Sequence, residues 1–402
     1  VFILCQIELK HKELDLVNLT FVQNYFMSSL YIHIPFCKQA CHYCDFHFST
    51  SLKYKDQLIQ AICMELVMRK DELPGVVKNI YFGGGTPSLL TEEELNVIFD
   101  TIYSEYIVVD KPEITLEANP DDLDLGYLQM LSRTKVNRLS IGVQSFFEKD
   151  LKLMNRAHNA HEAETSILLA KQFFDNISID LIYGIPDMNE ERWKENLAKA
   201  IELDIPHISS YALTVEPNTA LKHFIDKEII PPVDDDLAKS HFDILVETME
   251  QNGFENYEFS NFGKTGYYSQ NNTAYWTGKF YLGIGPSAHS HVNSTRSWNI
   301  NNNPKYIKAI IAGELPAERE ELSLTDRYNE YIMTGLRTKW GVNVKAVETE
   351  FGLNYAAYLM DQIQDYQKQG LLALNGDMLN VTAEGKFLSD GIASELFMLN
   401  LK

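Results

Sequence analysis

The chain has 402 residues, enough for a large core and more than one domain. Its net charge of −21, from 35 basic and 56 acidic side chains, argues against a broad nucleic-acid surface and against docking on anionic lipid, though not against a small basic pocket. Hydrophobic content of 45% is ordinary, no apolar run approaches a membrane span, and an odd five cysteines do not suit a disulfide framework, so a reducing cytoplasm is expected.

Residues 1–26 lack the basic region and cleavage site of a secretory signal, and are expected to be an upstream or non-native extension outside the fold. Strand-like and helix-like segments then alternate. "LYIHIP" (30–35) reads as a first strand, followed by a helix over 53–72 with Leu58, Ile59, Ile62 and Leu66 at helical spacing and Cys63 in the core. "KNIYF" (78–82) is the second strand, and Thr91 with Glu94 predicts a capping box for the next helix. "EITLEAN" (113–119), "RLSIGVQS" (138–145), "NISIDLIYG" (176–184) and "HISSYAL" (207–213) follow as strands three to six, each with a helical stretch after it or before the next.

Six such strands predict a parallel sheet, apolar enough to be buried on both faces. Polar or special residues stand at successive strand ends: the cysteines, "GGGTP", Glu117, Gln144, Asp180 and the pair Tyr211–Ala212. Barrel enzymes place their sites at such ends, so the α/β fold is expected to be a partial, TIM-like (β/α)6 barrel over 27–215. Residues 216–300 hold a helix from about Asp235 to a stop at Gly253, then short strands and loops that complete and cover the barrel. Residues 301–402 read as a smaller C-terminal α+β unit, winged-helix-like, with a packing or lid role in so acidic a chain.

Cys37, Cys41 and Cys44 have the spacing C-x3-C-x2-C. Three thiolates on one loop can hold a [4Fe–4S] cluster and leave one iron open for a small ligand. S-adenosylmethionine (SAM) on that iron would take one electron and break to a 5′-deoxyadenosyl radical, chemistry that belongs to the cofactors. A zinc site completed by His33, His42 or His47, or three inert cysteines, are the alternatives. "GGGTP" lacks the Gly-Lys-Ser/Thr ending of a P-loop and does not match G-x-G-x-x-G, but its glycines allow close backbone approach to a ligand.

The cysteine loop and "GGGTP" resemble the radical SAM superfamily. More narrowly, "YIHIPFC", "CDF", "FGGGTPS", "LEANP", "SIGVQSF", "NRAH", "SIDLIYGIP" and "YWTGKFYLGIGPSAHS" resemble the oxygen-independent coproporphyrinogen III oxidase-like family, from about Ser29 to the C-terminus. The resemblance implies SAM contacts at Gly84, Gly85, Thr86, Glu117, Gln144, Arg156 and Asp180, with Tyr31 and Ala212 as further candidates. In the oxidase branch a fourth cysteine follows the third by two residues. Phe46 occupies that place and resembles the HemW branch of heme chaperones, which implies heme as a further ligand. The branch typically carries H-N-x-x-Y-W, its histidine implicated in heme binding. Here "NNTAYW" puts Asn271 there, a poor iron ligand. His289 and His291 are possible substitutes, or ordinary polar residues of the "SAHSH" loop. The resemblance also implies an electron donor such as flavodoxin or ferredoxin and a heme-accepting protein. Oxidative decarboxylation of a porphyrinogen, or radical chemistry on another tetrapyrrole, is the alternative. Few basic residues offer themselves for propionates.

Overall fold

The computed structural model describes residues 27–399; the expected N-terminal extension, with Cys5, lies outside the described residues. Strands β1 (Met27–Ile34), β2 (Val76–Gly84), β3 (Val108–Ala118), β4 (Arg138–Gln144), β5 (Ile177–Tyr183) and β6 (His207–Ala212) pair in parallel in sequence order. Each agrees with an expected strand to within a few residues at its ends. The helix Glu92–Glu105 starts with the expected Thr91–Glu94 capping box, and the helix Asp235–Gln251 gives way to Gly253 in the left-handed region at φ 78°.

The sheet does not stop at six strands. After the short antiparallel β7 (Glu255–Glu258) and β8 (Asn261–Gly263) at the β6 edge, β9 (Tyr281–Ile284) pairs in parallel with the other side of β1. From there β10 (His289–Val292), β11 (Thr295–Asn299) and β12 (Ala317–Glu321) extend the sheet antiparallel. β1 is therefore an interior strand, and the loop that follows it is held from both sides.

The two faces differ more than expected. Ile32, Phe82, Leu116, Ile141, Ile179 and Ile208 lie under the helices in one continuous apolar core. The alternate residues point into the barrel and are largely polar. There Arg138 approaches Thr115 and His207 at 3.5 Å each, Ser178 meets His207 at 2.7 Å, and His207 meets the Tyr257 hydroxyl at 2.8 Å. Burial on both faces holds as expected, but the inner face is a largely hydrogen-bonded polar layer and not an apolar one.

A second core, built on Tyr328, Ile332, Leu359, Leu372 and Leu379, gathers helices around the three-stranded sheet β13 (Val342–Asn343), β14 (Leu372–Asn375) and β15 (Met378–Val381). It begins later than the sequence division at 301. Helix Asn303–Ile311 buries Tyr306, Ile307 and Ile310 in the barrel's core, and β12 belongs to the large sheet. The apolar stripe of that helix matched either unit, so periodicity alone did not assign it.

A buried ion pair ties the extension to the barrel. Glu65 and Arg69, one turn apart on helix Lys55–Met68, stand 3.1 Å apart and are almost fully buried. Glu65 also accepts from the Tyr306 hydroxyl at 2.5 Å, the Asn299 amide at 2.7 Å and the Gly285 N–H at 2.8 Å. Arg69 donates to the Gly283 carbonyl at 2.9 Å. Breaking one member of such a pair leaves an uncompensated buried charge. Arg69→Met should therefore lower stability by about 3–5 kcal/mol, read as a lower urea midpoint; an unchanged midpoint would show that β9–β11 hold without it.

Candidate functional site

The cysteine loop is fastened at its base and along its flank. Cys37 N–H donates to Ser49 O at 3.1 Å and Ser49 N–H to Pro35 O at 2.9 Å. His42 N–H reaches Met154 O at 3.0 Å, and the Asn155 amide donates to Ala40 O at 2.7 Å. The end of β2 fits under this loop because it is glycine. A Cβ on Gly85 would lie 2.6 Å from the Phe36 carbonyl oxygen, and one on Gly84 would lie 2.5 Å from the His33 ring. Gly84 also has φ 109°, which side chains rarely adopt.

Cys37, Cys41 and Cys44 line a cavity of about 150 Å³ together with Phe46, Gly84, Gly85, Thr86, Glu117, Gln144, Arg156 and Asp180. Residues of β3, β4 and β5, the glycine turn and the thiol loop thus converge. Arg156 places Nη1 3.3 Å from Cys41 Sγ, while Nη2 donates to Asn119 Oδ1 at 2.6 Å and to Gly142 O at 2.8 Å; its Nε has no partner. Gln144 closes β4 at φ 68°, a position that turns its side chain out of the ladder into the cavity. Glu117 accepts from the Tyr81 hydroxyl at 2.8 Å and the Gly84 N–H at 3.2 Å, and Asp180 from Ser140 at 3.3 Å.

Two of the expected residues do not line this small cavity. Tyr31 points into a larger neighbouring cavity, with its hydroxyl 3.2 Å from His33 Nδ1. Ala212 lines neither cavity; it packs against the apolar core at the end of β6, and the preceding Tyr211 faces the larger one. Cys63 is half-buried, with its thiol toward Val97 O rather than deep in the core.

The zinc alternative loses its histidines. His42 Nδ1 is 2.8 Å from Leu153 O, His47 Nε2 is 2.7 Å from Asn303 Oδ1, and His33 Nε2 is 3.1 Å from His47 O. Among the described residues no three His, Cys, Asp or Glu side chains are grouped as ligands of one ion. Zinc needs such a point, whereas a four-iron cluster is met by thiols spread around a space. Free thiols, a glycine cradle and a partnerless Arg156 Nε therefore fit a cluster with a small polar ligand.

The larger cavity, about 910 Å³, meets the first at Phe46, which lines both. It is walled by Tyr211, Tyr275, Trp276 and Trp298 and carries Asn271 and His289. Arg296 and Arg337 also line it, the basic residues the sequence did not single out. Arg337 comes from the second unit and stacks its guanidinium 4.8 Å from the Trp276 ring. Linear spacing gives no signal for either arginine, because the wall is assembled from separate hairpins and helices.

Residues 31–200 match the Radical SAM superfamily, and residues 322–388 match the HemN C-terminal domain. The chain is 33% identical to the heme chaperone HemW of Bacillus subtilis, over 91% of this chain and 98% of that one. It is 34% identical to the heme chaperone HemW of Escherichia coli K12, over 92% and 98% respectively. Coproporphyrinogen III oxidase (HemN) from Escherichia coli, described as a radical SAM enzyme, superposes with a TM-score of 0.81 at 23% identity, covering 93% of this chain and 90% of that one, a likeness of fold. Fold and cysteine loop together define a radical SAM protein with a HemN-type C-terminal domain. Within that class the chain belongs to the HemW family. The class implies a [4Fe–4S] cluster and SAM as its cofactors.

Burial pushes the Glu117 carboxyl up from 4.5 to about 7, with the nearby Asp180 adding to it, and burial likewise pushes Asp180 up to about 6. Between about 4.5 and 7 the folded chain holds a proton at Glu117 that the unfolded chain has released. That stabilisation is full below the lower value and is lost as pH rises through the upper one. The cofactor-free protein should therefore lose urea resistance across this window, and Glu117→Gln should flatten the loss. A variant with the wild-type pH profile would place the titration elsewhere.

Proposed function

We propose that this protein is a heme chaperone that holds a [4Fe–4S] cluster on Cys37, Cys41 and Cys44. The single observation carrying this reading is that the thiol cavity shares a wall residue, Phe46, with an aromatic cavity of about 910 Å³, room enough for a tetrapyrrole. When bound, the cluster supplies one-electron reducing power to SAM. The chain's own residues bind and orient. Gly84, Gly85 and Thr86 offer backbone and hydroxyl to the methionine end of SAM, and Gln144 and Asp180 offer polar atoms to the rest. Arg156 holds the thiol loop to β4 through its Nη groups and presents its Nε–H to a carboxylate, a set of separated donors that the single ammonium of Lys would not supply. Glu117 is fixed by Tyr81 and Gly84 for a hydrogen bond to a ligand amine or hydroxyl.

Phe46 favours the chaperone over the oxidase. No thiol stands where the two cavities share a lining residue; an aromatic ring with 68% exposure does. An electron donor of the flavodoxin or ferredoxin kind and a heme-accepting protein complete the reading. Free thiols at the site suit the reducing cytoplasm. Among the described residues no helix is long and apolar enough to cross a membrane.

Anaerobic reconstitution tests the reading. The wild type should take up four irons and four sulfides per chain and bind heme stoichiometrically. It should not convert coproporphyrinogen to protoporphyrinogen when SAM and reductant are supplied; conversion would overturn the chaperone assignment. Cys37→Ser, Cys41→Ser and Cys44→Ser should each lose the cluster and its visible absorption. Retention of full iron in any of them would remove that cysteine from the ligand set.

A further inference from the structure

We infer that His289 is the side chain that would ligate heme iron in this chain, a role Asn271 does not fill. The inference rests on the heme-binding reading above and assigns the ligand within it. An Asn amide is a poor ligand for heme iron, so one of the other side chains around the aromatic cavity must supply the bond. Three imidazoles line it: His33, His47 and His289. His33 has both ring nitrogens engaged, by the Tyr31 hydroxyl at 3.2 Å and by His47 O at 3.1 Å. His47 gives Nε2 to Asn303 Oδ1 at 2.7 Å. His289 alone of the three has neither ring nitrogen hydrogen-bonded among the described residues.

The backbone holds His289 in place while its ring stays open to the cavity. β10 folds back on β9 so closely that a Cβ on Gly283 would lie 2.1 Å from the His289 carbonyl oxygen. Ser290, the next residue, receives the Gly283 N–H at 3.0 Å, and Gly283 O is held by Arg69. The imidazole lies against the Trp298 ring, 6.2 Å between centroids and 26° from parallel. Burial, then the Arg296 charge, keep its pKa below the ordinary value, so the ring is neutral and has a lone pair to give. Tyr275 and Trp276 offer apolar surface to a macrocycle, and Arg296 and Arg337 offer guanidinium to propionates, at present paired with Glu330 and Asp390 at 2.7 and 3.1 Å. His291 lines a different cavity, toward the C-terminal unit, beside Tyr281.

Hemin titration of the full-length, cluster-loaded protein, followed by the Soret band and by electron paramagnetic resonance, tests this. Wild type should show a nitrogen-ligated heme spectrum. Outer partners of a metal site are worth about ten- to a hundredfold in affinity, so His289→Ala should weaken binding at least about tenfold. It should also lose the nitrogen-ligated signature, and added imidazole should restore it. His291→Ala should keep the wild-type spectrum. Iron and sulfide content reports folding of each variant, and His289→Gln serves if the alanine variant fails to load. A wild-type spectrum and affinity in the His289 variants overturns the inference and leaves heme binding standing. A wild type that binds no heme overturns both.

Discussion

The site depends on one steric constraint, the absence of side chains where β2 ends against β1. Gly84 and Gly85 let the turn after β2 lie against His33 and the Phe36 backbone at distances that no Cβ allows. That contact sets the thiol loop and the glycine turn face to face across the small cavity. It also fixes His33 and so shapes the wall of the large one. A single methyl here would push apart the two loops that the cofactors must bridge.

Around this contact the fold separates apolar from polar burial by strand parity. The outward residues of the parallel strands form the core under the helices. The inward residues form a polar layer in which Ser178, His207 and Tyr257 are hydrogen-bonded and Arg138 approaches His207 at 3.5 Å with its Nε left without a partner. This layer carries Glu117 and Asp180 to the cavity wall, where burial shifts both carboxyls upward. The polar interior and the perturbed carboxyls are thus one feature seen at two depths. In the antiparallel extension the Glu65–Arg69 pair fixes geometry through a buried charge pair with further hydrogen-bond partners on both members.

Much of this was legible in the chain. Six strand–helix repeats, the C-x3-C-x2-C loop, the glycine turn and the strand-end polar residues give the barrel and its small cavity, because each is local in sequence. β9 was not legible, since four residues within an aromatic loop region carry no period of their own. The polar interior was hidden for a related reason: Ser, Thr and His alternating with Ile and Leu read as general burial until the strands are closed round. Arg296, Arg337 and Trp298 escaped because the large cavity is built from hairpin, helix and second unit together. Tyr31 and Ala212 were expected beside SAM from the family resemblance, yet Tyr31 lines the neighbouring cavity and Ala212 packs against the core.

Arg337 is the C-cap residue of helix Leu324–Leu336 in the smaller unit, yet its guanidinium lies over Trp276 and lines the barrel's large cavity. The two units are therefore not modules that can be exchanged at their boundary. A chimera that joins this barrel to a C-terminal unit from a distant relative would fold each core and still inherit a rebuilt cavity wall. Divergence in the smaller unit, far from the cysteines in sequence, can thus retune what the barrel accepts without altering a residue of the barrel itself.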